Sequence, residues 1–187
     1  RSAIGNFEAA LLLGAEFVPS AEGKGVRPGL SGPALTIPVP AGFWQLRGTL
    51  EFRFALDRKL RFGGAALAIP LMDAPLLRAT LRSRHAHPVI EIGALTASGS
   101  RVTATVNLTR LEADTWYHLA LAWDAEEGLL AAFLNGVPQG ELRPNASREP
   151  WSPARRMDGV WHLGGSAGKG ADTIRVSIDE PRLHDDV

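Results

Sequence analysis

Trp151 sits between Pro150 and Ser152, with Arg148, Arg155 and Arg156 close by in the chain. An indole offers a flat apolar face for stacking on a sugar ring, and a guanidinium grips a carboxylate or sulfate with a planar fork. Strand periodicity does not ask for Trp151 to be buried, so these four residues are the leading ligand-contact candidates. The competing reading folds Trp151 back to plug an edge of the core. Other groups able to do chemistry are sparser. His85-Ala86-His87 would put two imidazoles on one face of an extended segment, a start for zinc, but no third ligand can be named and surface polarity is the preferred reading. Acids spaced two apart occur as Glu112 with Asp114 and Asp124 with Glu126, in turn segments where solvated charge explains them. His118 is read as a structural hydrogen-bonding group. The sequence has no Gly-x-Ser-x-Gly elbow, no His-Glu-x-x-His, no phosphate-binding glycine loop and no cysteine, so no catalytic residue is predicted.

The elements that must position these residues read as strands. Tyr117, Leu119, Leu121 and Trp123 alternate with His118, Ala120 and Ala122, the period of two that a strand imposes. A polar turn at Asp124 to Gly128 precedes a second run, Leu129 to Leu134, and Asn135-Gly136 supplies the positive φ angles of a type I′ hairpin turn. Further strand-like runs are Ala10 to Val18, Leu35 to Val39, Thr49 to Leu56, Ala66 to Leu71, Leu77 to Arg82, Val89 to Leu95, Arg101 to Leu108, Val160 to Leu163 and Thr173 to Ile178. Many short strands with Gly and Pro between them predict an all-β, two-sheet antiparallel sandwich. Thr49 to Leu56, with Leu50, Phe52, Phe54 and Leu56 inward, and Arg101 to Leu108, with Val102, Ala104, Val106 and Leu108 inward, could share a sheet. A helix competes only at Asp73 to Arg82, where Asp73 could cap and Pro75 open it. Trp116, Trp123 and Trp161 are read as pointing into the sandwich. The stretch from Arg143 to Gly159 is too long for an ordinary hairpin loop, which suits a functional or a disordered segment.

The Trp-Tyr-His-Leu-Ala strand, its Trp-Asp exit, the Phe-Leu-Asn-Gly hairpin, Gly48-Thr-Leu-Glu-Phe-Arg-Phe54, Leu163-Gly-Gly165 and Ser177-Ile-Asp-Glu-Pro-Arg-Leu183 resemble, in order, the laminin-G-like branch of the concanavalin A-like lectin/glucanase superfamily. The resemblance implies a jelly roll and a non-catalytic recognition module for glycans, accessory to a larger extracellular protein. The glucanases of that superfamily carry an acid-x-acid-x-acid strand, which this chain lacks, and this disfavours glycoside hydrolysis. A structural calcium is also implied, with Asp179 at the position of a closing-strand ligand. Alternatively, Asp179 and Glu180 satisfy backbone donors or pair with Arg175 or Arg182. Two other functions stay open: a protein-interaction or adhesion domain, and a glycoside hydrolase or polysaccharide lyase without the usual acids.

Composition narrows the field. A chain of 187 residues suits one core, so residues 1–187 are read as one domain, excised from or part of a larger protein. Twenty basic and twenty acidic residues balance, which argues against nucleic acid and leaves electrostatic recognition to local clusters. No apolar run reaches the ~20 residues of a membrane span, and no signal peptide opens the chain, so a soluble domain is expected, secreted or at the cell surface on the resemblance. Asn107-Leu-Thr109 and Asn145-Ala-Ser147 fit the glycosylation acceptor pattern and carry little weight.

Overall fold

Alternating apolar and polar residues dictate strands whose apolar sides must be covered, and two sheets covering each other satisfy that need. The computed structural model describes residues 10–11, 14–20, 23–39, 47–60, 68–75, 77–84, 87–95, 101–108, 111–124, 126–142, 159–167 and 173–184. Its strands are β1 (Ala10–Leu11), β2 (Glu16–Pro19), β3 (Lys24–Arg27), β4 (Leu35–Val39), β5 (Arg47–Leu56), β6 (Ala68–Asp73), β7 (Leu77–Arg84), β8 (His87–Leu95), β9 (Arg101–Asn107), β10 (Tyr117–Asp124), β11 (Leu129–Leu134), β12 (Val137–Leu142), β13 (Gly159–Leu163), β14 (Gly165–Ala167) and β15 (Ile174–His184). One sheet runs β1-β4-β13-β6-β7-β8-β9 and the other β12-β11-β10-β5-β15-β3-β2, with β14 paired to β15. The core between them is built from Leu50, Phe52, Phe54 and Leu56 on β5, Leu119, Leu121 and Trp123 on β10, Ile90 and Ile92 on β8, and Trp161 and Leu163 on β13, all buried. Asn135 and Gly136 both have positive φ, at 51° and 76°, as the type I′ turn between β11 and β12 demands.

The structure corrects several expectations. Among the described residues of 73–82 none is helical: residues 73–75 complete β6 and turn, with Ala74 N donating to the Leu77 carbonyl, and residues 77–82 lie in β7. β5 and β9 lie in opposite sheets, since alternation specifies a buried face but not which sheet supplies it. The run Ala10 to Val18 is divided, because Gly14 takes φ +83°, so β1 joins one sheet and β2 the other. Trp116 does not enter the sandwich. It lies just before β10 on the outer side, its ring over Gly25 and its Nε1 donating to the Pro19 carbonyl.

Two β-bulges decide which side chains reach solvent. In β6 the register to β7 shifts between Pro70 and Met72, so Leu71 and Met72 are both buried and Pro70 and Asp73 share the outer face. In β15 the shift lies between Asp179 and Arg182, with Glu180 at φ +47°. An inserted residue inverts the alternation beyond it, so Leu183 returns to the core while Arg182 and His184 face out.

Candidate functional site

On the outer face of the seven-stranded sheet, four polar residues stand in one row across adjacent strands. His162 on β13 is opposite Thr36 on β4 and Asp73 on β6, and Asp73 is opposite Arg78 on β7. His162 is forced outward because Trp161 and Leu163 on either side are buried. Thr36 Oγ1 meets His162 Nδ1 at 3.3 Å, which fixes the ring. Arg78 donates through Nε and Nη2 to the two Asp73 oxygens at 2.9 and 3.0 Å, a bidentate fork that orients the carboxylate and leaves each oxygen able to accept another hydrogen bond. Asp73 and His162, with Gly32, Pro33, Pro70 and Gly164, line a cleft of about 200 Å³. Gly164 has φ +69°, and a Cβ there would lie 2.8 Å from the Val176 carbonyl, so the floor is held low. The cleft combines a fixed carboxylate, an oriented imidazole and two proline rings, groups suited to hydroxyls and C–H faces respectively.

The outer face of the eight-stranded sheet carries a second constellation. Glu51 on β5 takes His118 Nε2 at 3.1 Å on one oxygen and His184 Nε2 at 3.0 Å on the other. Burial pushes the Glu51 carboxyl upward, but the hydrogen bond to His184 and the charges of His118 and His184 outweigh it and hold the group below the ordinary range. Glu180, turned by the bulge, accepts from Arg53 Nε at 3.1 Å and lies 3.4 Å from Arg182 Nη2. Further along, Asp57 is buried and clamped by the Arg175 backbone and guanidinium, and Glu16 pairs with Arg175 and Arg27, so this group ties β2, β3 and β15 together.

Of the residues expected from sequence, Arg148, Trp151, Arg155 and Arg156 lie outside the described residues, as does His85; His87 is exposed at the start of β8. Asp124 accepts from the Glu126 and Glu127 amides, a turn-forming role. Asp179 Oδ1 accepts from the Glu180 amide, while Oδ2 is buried with no hydrogen-bond partner. An orphaned carboxylate oxygen suits a hard cation. Among the described residues no group of three or more His, Cys, Asp or Glu could hold a metal, so no such cluster surrounds Asp179. Sequence reading missed the Thr36, Asp73, His162 row and the pairing of Glu51 with His184. The signal was present in Asp73 at the end of an apolar run and in His162 between Trp161 and Leu163, but the bulge in β6 hid the face that Asp73 shares with His162.

The Laminin_G_3 family model, described as the concanavalin A-like lectin/glucanases superfamily, matches residues 81–187, more than half of the chain. The chain belongs to this family. No curated protein matches it. Solved structures similar to it include the binding domain of Paraclostridial Mosquitocidal Protein 1, with 11% identity, a TM-score of 0.68, and coverage of 97% of this chain and 45% of that one. The receptor binding domain of botulinum neurotoxin D has 9% identity, a TM-score of 0.69, and coverage of 97% and 45%. A structure of botulinum neurotoxin type C, whose cell entry is described as dependent upon interaction with two ganglioside molecules, has 9% identity, a TM-score of 0.62, and coverage of 97% and 43%. These likenesses establish the fold, and the chain spans less than half the length of each of the three.

Proposed function

We propose that the chain is a non-catalytic recognition module that binds a glycan at the Asp73–His162 cleft, as an accessory domain of a larger extracellular protein. The observation carrying this reading is that His162 and Asp73, held by Thr36 and Arg78, line an open cleft about the size of one sugar ring beside the rings of Pro33 and Pro70. That the similar toxin domains are named as binding domains, and one toxin as ganglioside-dependent, supports it. Hydrolysis of a glycosidic bond needs a carboxyl group kept protonated, whereas Asp73, Glu51, Asp57 and Glu180 are each held by cationic or imidazole groups. Arg148, Trp151, Arg155 and Arg156, in the segment leading into β13, are proposed as a second contact for a longer glycan, and Asp179 Oδ2 as a ligand of a structural calcium. On a glycan array, Asp73→Asn and His162→Ala should each weaken binding by about tenfold to a hundredfold, the worth of a hydrogen bond to a charged group. Unchanged retention in both would remove the cleft from the account, and unchanged retention in Trp151→Ala would remove the second contact.

A further inference from the structure

We infer that the outer face of the eight-stranded sheet is a second ligand site, which takes an acidic polysaccharide when His118 and His184 are protonated and releases it when they are neutral. The face is distinct from the Asp73 cleft, which lies on the opposite sheet. Phe133, Ala120, Glu51 and Arg182 stand in direct register across β11, β10, β5 and β15, so an aromatic ring and a guanidinium bracket Glu51, with only a methyl group between ring and carboxylate. At strand spacings of about 4.8 Å this row spans roughly 14 Å, the length of a few sugar units. Phe133 offers the stacking face that any pyranose can use, and the cations select an acidic one.

The wiring of Glu51 makes the charge of this face reversible without rearrangement. A carboxylate only accepts, so each imidazole donates to it from Nε2 and, when neutral, carries a bare Nδ1. Protonation then occurs at Nδ1, on the far side of the ring from Glu51, and both Glu51 contacts persist. Among the described residues, the charged groups facing the pair are Arg47, Glu51 and Arg53 on β5, Asp124 on β10, and Arg175, Asp179, Glu180, Arg182 on β15; β11 contributes Leu129, Ala131 and Phe133, and its turn Asn135, whose Oδ1 holds the His118 amide. Arg47 is opposite Asp124 in register, Arg175 is engaged by Asp57, and Arg53 is paired with Glu180. With neutral imidazoles, Glu51, Asp179 and Glu180 exceed Arg53 and Arg182 by one negative charge; with both protonated, the same cluster carries one excess positive charge. His118 is 34% exposed, His184 28% and Arg182 54%, so that charge is presented to solvent.

The test is binding of polygalacturonate, with neutral dextran and poly-L-glutamate as controls, at low ionic strength and at about pH 5 and about pH 8, which bracket the range where histidine changes charge. The intact protein should bind polygalacturonate about tenfold tighter at the lower pH. His118→Gln combined with His184→Gln keeps hydrogen-bonding side chains beside Glu51 and should reduce the pH ratio to about twofold or less, while binding at the Asp73 cleft is unchanged. Phe133→Ala should weaken binding at both pH values equally. Three results would overturn the assignment: no polygalacturonate binding at the lower pH, a pH ratio that survives in the folded double variant, or poly-L-glutamate binding as tightly as the glycan.

Discussion

Asp73 and Glu51 are both carboxylates on exposed sheet faces, and their partners give them different work. Arg78 grips Asp73 with a fork that leaves outward lone pairs for a ligand, whereas both Glu51 oxygens are taken by imidazoles. The Glu51 carboxyl is held below its ordinary range, and that has a consequence for stability. A carboxyl whose folded pKa is depressed contributes stability that is present above the unfolded value, about 4.3, and lost as pH falls through the folded value. Glu51→Gln should therefore lower unfolding free energy by about 1 kcal/mol near neutral pH, and the gap to the unsubstituted protein should close in acid. Urea denaturation across the acid range reads this directly, and a gap that stays constant below pH ~4 would show that Glu51 contributes only packing. In sequence, Asp73 looked like a helix cap and His118 like a lone structural histidine. Each residue is informative only with its partner, and those partners lie on neighbouring strands far away in the chain.

Strands were the most legible elements. The runs at Leu35 to Val39, Thr49 to Leu56, Leu129 to Leu134 and the Asn135-Gly136 turn appear in the structure within a residue or two, because two-residue alternation and positive-φ turn residues are local signals. The short strands β3 and β14 escaped notice, since four and three residues are too few to show a period. The sites escaped for a related reason: Asp73 in one and His184 in the other follow a bulge, and a bulge inverts alternation without leaving a sequence mark. Gly164, just after β13, is the element-level anchor of the cleft. It donates to the carbonyl of the bulged Leu71 at 2.8 Å, has positive φ, and has Ile178, Val176 and Ala34 within 3 Å of where a Cβ would be. Gly164→Ala should cost about 2–3 kcal/mol through backbone strain and overpacking together, measured as a lower denaturation midpoint with unchanged m-value. A cost near zero would mean that the crossing from β13 to β14 is not fixed as described.

At the scale of the molecule, the sandwich buries one set of side chains and offers two unlike outer faces: a cleft with hydrogen-bonding groups on one sheet and a charged, aromatic-ended row on the other. The family was readable from the order of its landmarks; Trp123 among them is a core residue, while Glu51, His118, Phe133 and Arg182 lie in landmark strands but on the outer face, and the cleft residues Asp73 and His162 lie outside the landmarks. If the orphaned Asp179 oxygen binds calcium, millimolar calcium should raise the melting temperature and a chelator lower it, by a few degrees for a gain of about 1 kcal/mol, with Asp179→Asn insensitive to both; a melting temperature indifferent to calcium in the intact domain would dismiss the ion. The central claim is recognition of a glycan by the cleft on the seven-stranded sheet. Its most direct measurement is a glycan-array screen of the intact domain, followed by titration calorimetry of the best neutral glycan against the unsubstituted, Asp73→Asn and His162→Ala proteins. The account predicts saturable binding that weakens about tenfold or more in each variant; a glycan bound equally well by all three, or no glycan bound at all, would contradict it.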